Sequence, residues 1–181
     1  MSANRFLVFG LAIALTACAA TGPRYSDHVA TLADVPPKST RLTVFRTAES
    51  TQYSGRSVTV RIDGRERGGC DFGGFQTFDV SAGPHILAVE MWDAPGRCSR
   101  SIEVLGGETY FYEISPRPAN YVASLLGDLV GVFGGPLAGA AGSFVGMGAE
   151  SSGKACGGAF TIVDVDESVA LRKLNDLHRS K

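Results

Sequence analysis

An excess of either charge is absent from this chain: 17 Lys and Arg stand against 18 Asp and Glu, a formal net charge of -1 at pH 7. No basic patch and no long like-charge block interrupts that balance, so nothing supports a nucleic-acid partner or a charged tail. Histidine is scarce. His28, His85 and His178 are the only three, and none has a Ser, Cys or acid at a spacing that suggests a triad. The carboxylates Glu90, Asp93, Glu103, Glu108 and Glu113 scatter along strands and turns, which fits solvated faces better than an acid/base pair. No catalytic residue and no enzyme activity is therefore expected. No two mature cysteines are close in sequence and no His lies at ligand spacing from one, so no metal site is expected either. Residues Gly148 to Ala155 approach the phosphate-loop pattern, but Ala155 replaces the Ser or Thr whose hydroxyl binds magnesium. No cofactor is expected.

What the chain does have begins at its N-terminus. Arg5 is followed by an apolar run from Phe6 to Leu15 and then by Leu15-Thr16-Ala17-Cys18, the pattern of a bacterial lipobox. The run is too short for a spanning helix and reads as a signal peptide over residues 1–17. Only a cysteine thiol accepts the diacylglyceryl thioether, so Cys18 is the lipidation site and the new N-terminus. At about 0.8 kcal/mol per buried CH2, two or three long chains hold a protein on a bilayer where a single myristoyl binds only marginally. In a Gram-negative host, Ala19 in place of Asp implies transfer to the outer membrane.

Residues 18–40 are small, polar and Pro-containing and read as a lipidated N-terminus with a tether. Period-two patterns then recur at about ten-residue intervals. Leu42, Val44 and Arg46 alternate with Thr43, Phe45 and Thr47. Val58, Val60 and Ile62 precede Asp63-Gly64, a strong type I′ hairpin signal. Further runs are Phe75–Val80, His85–Trp92, Cys98–Leu105 and Glu108–Ile114, with turns expected at Ser81-Ala82-Gly83-Pro84, Asp93-Ala94-Pro95-Gly96 and Gly106-Gly107. The expected fold is mainly β: a small antiparallel β-sandwich over residues 41–118 with a C-terminal α-helix. Residues 159–181 return to the same domain as a strand at Phe160–Val165 and that helix. Asp164 or Asp166 would cap it, Val169, Leu171, Leu174 and Leu177 recur at helical spacing, and Arg172, Lys173, Arg179 and Lys181 suit its C-terminal half.

Cys70, Cys98 and Cys156 remain in the mature chain besides Cys18. In an oxidising compartment they imply one disulfide and one leftover thiol. Strand parity turns them all inward and leaves the pair open.

The segments Pro36-Pro37-Lys38, Arg41-Leu42-Thr43-Val44-Phe45-Arg46, Val60-Arg61-Ile62-Asp63-Gly64, Ala82-Gly83-Pro84-His85 and Gly107-Glu108-Thr109-Tyr110-Phe111-Tyr112 together resemble a family of uncharacterised bacterial lipoprotein domains related to PEGA-type β-sandwiches. The resemblance spans Val35 to Ser115 and, more loosely, Gly157 to Leu177. It implies a small sandwich resident in the cell envelope and no activity. The three cysteines and a long insertion depart from a simple unit of that kind.

That insertion, residues 119–158, is apolar and glycine-rich, with Asp128 the only charge between Tyr121 and Met147. Gly127, Gly131, Gly135 and Gly139 recur every four residues, a small-residue stripe suited to close helix packing in a membrane or an oligomer. Each glycine costs a helix in water about 1 kcal/mol. A helical hairpin turning at Gly134-Gly135-Pro136 would have arms of about 12 residues, some 18 Å long against an apolar bilayer core of about 30 Å. It would be re-entrant or interfacial rather than spanning; an oligomerisation element and a glycine-rich loop remain the alternatives.

The expected role is that of a non-enzymatic structural or interaction module, attached through acylated Cys18 to the periplasmic face of the outer membrane. Its partner would be a second copy or another envelope protein. The alternative is a ligand-binding module that holds a glycan or peptide on a sheet face with Trp92, Tyr110 or Tyr112.

Overall fold

The computed structural model describes residues 19–117 and 156–181. Nine strands and two helices follow in the order α1 (Tyr25–Val29), β1 (Ser39–Arg46), β2 (Val58–Ile62), β3 (Arg65–Cys70), β4 (Gly74–Ser81), β5 (Gly83–Met91), β6 (Ala94–Val104), β7 (Thr109–Pro116), β8 (Phe160–Val165), α2 (Glu167–Leu174) and β9 (His178–Arg179). They form a β-sandwich of two packed sheets, ordered β8-β7-β1-β4-β9 and β3-β2-β5-β6.

The second sheet is wholly antiparallel, but the first is mixed, which the antiparallel expectation missed. β1 pairs in parallel with β7, and β4 in parallel with β9. A hairpin forces antiparallel pairing, whereas β7 arrives from the other sheet and starts at the same end as β1. Gly107 N donates to Ser39 O at that crossing. The Ser81-Ala82-Gly83-Pro84 turn is likewise no hairpin. β4 passes into β5 through Ala82 alone, switching sheets at Gly83, whose φ of 123° suits glycine.

Leu42 and Val44 of β1 face the inter-sheet core with Val58, Val60, Leu87, Val89, Val104 and Ile114. Phe45, Phe75 and Phe111 point to the opposite face of the first sheet, where Ala170 and Leu174 of α2, Leu177 and Tyr25 cover them. β1 is therefore buried on both faces. Each phenylalanine so covered contributes roughly 1.5–3 kcal/mol.

Several local expectations are corrected. The β5–β6 turn falls at Trp92-Asp93, so Pro95 and Gly96 lie inside β6. β6 is an edge strand, where proline is tolerated, and Gly96 takes a φ of 88°. β3 carried no alternating signal because Arg65, Glu66 and Arg67 are the exposed charges of the opposite edge strand. The final helix ends at Leu174 rather than continuing through Arg179 and Lys181. Arg179 instead pairs beside Phe75 in β9. Asp166 occupies the N-cap position without a side-chain cap bond, and Asp164 lies 3.3 Å from Arg100.

The segment expected to be a tether is docked for much of its length. Ala19 bridges Phe72, Gly22 N donates to Arg179 O, and Arg24 bridges His178. α1 follows, and His28 is buried with its Nε2 2.9 Å from Thr77 Oγ1. A tether was inferred from small polar residues, but small residues also permit close approach: a Cβ built on Gly22 would lie 2.5 Å from Arg179 O. Among the described residues no helix is long and apolar enough to cross a membrane.

Candidate interaction site

The strand registers sort the loops into two poles. At one pole β1 ends at Arg46 opposite Gly74, Gly74 pairs with His178, and Pro116 pairs with Phe160. The tip of the β5–β6 hairpin, Trp92-Asp93, lies at this same pole, as does the bridge from Ala19 to Phe72. The opposite pole holds Asp63-Gly64, the Ala82 corner and Leu105 to Gly107.

Beside the hairpin tip, the outer face of the second sheet forms a groove of about 470 Å³ lined by residues that include Thr59, Arg61, Glu90, Trp92 and Arg97. Period two sets its chemistry: Thr59 and Arg61 turn outward while Val58, Val60 and Ile62 enter the core. Arg61 Nε lies 2.6 Å from Glu90 Oε1, and its NH2 lies 3.4 Å from Glu66 Oε2. The hydrogen bond to Glu90 and the charges of both acids raise the Arg61 pKa. Arg56 pairs with Asp93 at 2.6 Å and holds its guanidinium carbon 5.7 Å from the centre of the Trp92 ring. Trp92 is 79% exposed. The arrangement offers a flat aromatic surface among paired charges, suited to contact rather than to proton transfer.

The other aromatic candidates are not accessible in that way. Tyr112 is buried in the inter-sheet core, where desolvation pushes its hydroxyl up to about 12. Tyr110 packs against the same core and accepts a hydrogen bond from Leu105 N at 3.1 Å. The structure thus places Tyr112 in the core and Tyr110 half-buried at its margin, so neither side chain lies on an outer sheet face.

The structure pairs Cys98 with Cys156 and leaves Cys70 as a buried free thiol. Burial pushes the Cys70 thiol up to about 12, against the opposing influence of Arg46. The disulfide ties β6 to the segment that re-enters the fold ahead of β8. Arg117 closes the other side, its NH1 donating to Cys156 O at 2.7 Å and its backbone N to Ala159 O at 2.9 Å. Arg117 and Cys156, the described residues on either side of the glycine-rich stretch, thus lie together. Cys18, Gly127, Gly131, Gly135, Gly139 and residues 148–155 lie outside the described residues.

The histidines serve the scaffold. At the far pole, His85 Nδ1 lies 2.6 Å from Asp63 Oδ2 and its Nε2 2.8 Å from Ser81 O. Desolvation alone would lower the His85 pKa, but these two contacts and the Asp63 charge hold it above the ordinary value. His178 Nδ1 contacts Gly22 O, and His28 is depressed first by burial and then by Arg179 and Arg41. Among the described residues no three His, Cys, Asp or Glu side chains gather closely enough to hold a metal ion.

Glu113, expected on a solvated face, is instead buried under α2 and held by Lys173 at 2.8 Å, and Arg41 is buried against Asp79 at 2.8 Å; the third buried charge that sequence reasoning missed is Arg46. Arg46 ends β1 facing inward, 1% exposed, and donates to the carbonyls of Arg56, Gln52 and Tyr53 at 2.7 to 2.9 Å. Phe160 and Phe72 lie 4.9 and 5.4 Å from its guanidinium carbon. An arginine in register with Leu42 and Val44 was the available signal.

No family model, no curated protein and no solved structure matches this chain.

Proposed function

We propose that the chain is a lipid-anchored cell-envelope protein, a non-enzymatic β-sandwich acting as a structural or interaction module at the periplasmic face of the outer membrane. The observation that carries this reading is the Leu15-Thr16-Ala17-Cys18 lipobox behind its short apolar run. The order of motifs resembling PEGA-type lipoprotein domains supports envelope residence. The disulfide between Cys98 and Cys156 suits an oxidising compartment. The acids that line the groove, Glu66 and Glu90, are both held by Arg61, which supports a contact surface over a reactive one.

Mass spectrometry of the N-terminal peptide from cells of a Gram-negative host tests the reading. The expected result is a peptide beginning at Cys18 and carrying a diacylglyceryl group, with the protein in the outer-membrane fraction. Ala19→Asp is expected to shift it to the inner membrane, and Cys18→Ala to abolish acylation. An unmodified peptide, or a protein released into the soluble periplasmic fraction, overturns it.

A further inference from the structure

Two stretches of chain leave the described fold, and both leave it from the same pole. One exit is Ala19, bridged to Phe72 and immediately preceded by Cys18. The other is the closed pair Arg117 and Cys156, the described residues on either side of a stretch whose sequence is apolar between Tyr121 and Met147. Trp92, the most exposed of the large apolar side chains described, projects from the hairpin tip at this pole, next to Arg56 and to exposed Arg97.

We propose that this pole is the bilayer-facing surface of the protein, with Trp92 seated at headgroup level in the leaflet that holds the acyl chains. The proposal rests on the reading of Cys18 as acylated. Tryptophan favours the membrane interface, where its ring meets the acyl boundary and its N–H stays hydrated. Exposed Arg97, which lines the same groove as Trp92, can lay its apolar stem along that boundary while its head remains among phosphates, whereas Arg56 stays paired with Asp93. The docking of residues 19–24 makes the orientation firm. Each free residue of tether would add at most about 3.6 Å of reach, and the chain is already bridged to Phe72 at the first residue after Cys18. Hydrogen bonds from Ala20 N to Phe72 O and from Gly22 N to Arg179 O continue that attachment. The sandwich is therefore held close to the lipid, with the Trp92 end of its lateral groove nearest the headgroups. The far pole, marked by Leu105, stands off by the length of β6, about 30 Å at the usual strand rise.

The sequence contains a single tryptophan, so its emission reports one site. The full acylated protein is reconstituted into vesicles of phosphatidylethanolamine and phosphatidylglycerol, with and without lipids brominated near the headgroup end of the acyl chain. Retention by floated vesicles and the intact mass are recorded in parallel. Trp92 is expected to shift to the blue and to lose about half of its emission to the bromolipid, as a side chain at the interface does. In a Trp92→Phe, Leu105→Trp variant, whose new tryptophan replaces a side chain 65% exposed at the far pole, no quenching is expected. An acylated, vesicle-bound protein whose Trp92 is not quenched, or is quenched no more than the tryptophan at position 105, overturns the orientation and leaves the anchor reading standing. A protein that lacks acyl chains and does not float overturns both. Emission that ignores bromolipid but shifts with soluble peptidoglycan fragments assigns the groove to a glycan and also overturns the orientation.

Discussion

Arg46 shows how one side chain can set a loop. Its guanidinium is buried and, among the described residues, forms no ion pair; its partners are three backbone carbonyls of the 47–57 connection. Burial lowers its pKa, yet arginine starts so high that it keeps its charge. The contact with Tyr53 holds a residue whose φ is 57°, uncommon for a non-glycine. Hydrogen bonds from a charged donor contribute about 1.5–3 kcal/mol each, and they are not additive. Arg46→Met is expected to lower unfolding free energy by about 3 kcal/mol in urea melts followed by far-UV circular dichroism. Arg46→Lys should recover little of that loss, because a single ammonium group cannot span the planar fork of donors. A loss under about 1 kcal/mol for Arg46→Met would show that the loop holds itself. The role was illegible in the sequence because backbone carbonyls carry no residue identity.

At the scale of elements, strand existence was easier to read than strand pairing. Asp63-Gly64 specifies its own turn: φ is 52° at Asp63 and 77° at Gly64, and the β2–β3 hairpin follows. The partner of Cys98 is a different kind of fact. It depends on where the chain returns after a long excursion, and parity gives no distance. Closing a loop of 58 residues removes entropy from the unfolded chain, with typical values for disulfides of about 2–4 kcal/mol. Cys98→Ser together with Cys156→Ser is expected to lower stability by that amount in thermal or urea melts. In the native protein, iodoacetamide at pH 8 should label none of Cys70, Cys98 and Cys156, since the Cys70 thiol is buried and stays protonated far above that pH and the other two are paired. After addition of urea without reductant, Cys70 should be the one of these three that is labelled. Rapid native labelling of Cys98 or Cys156 would mean that the foot of the insertion is not closed.

For the whole molecule, the decisive contacts join the two ends of the chain. Gly22 has no room for a side chain beneath Arg179, so Gly22→Val should displace residues 19–31 from the sheet edge and leave the sandwich folded. Limited trypsin digestion is expected to cut the variant at Arg24 faster than the parent, with residues 39–117 still resistant. Equal rates would mean that the docking does not depend on this contact. The same segment carries a pH dependence of definite sign. His28 is depressed below its unfolded value near 6.5, so its docked neutral form contributes fully above that pH. As pH falls from 6.5 toward the lower docked value, the released histidine takes up a proton that the docked one resists, and cleavage at Arg24 should rise.

The sequence by itself determined the Leu15-Thr16-Ala17-Cys18 pattern, the strands that alternate and the Asp63-Gly64 turn, because each follows from a local period or a short chemical pattern. Tertiary structure alone decided the pairing of Cys98 with Cys156, the parallel union of β1 with β7, the burial of Tyr112 and Arg46, and the placing of Ala19, Arg117 and Cys156 at the pole that carries Trp92. Those are relations between residues far apart along the chain, and they are fixed by which faces the two sheets and the final helix close off from water.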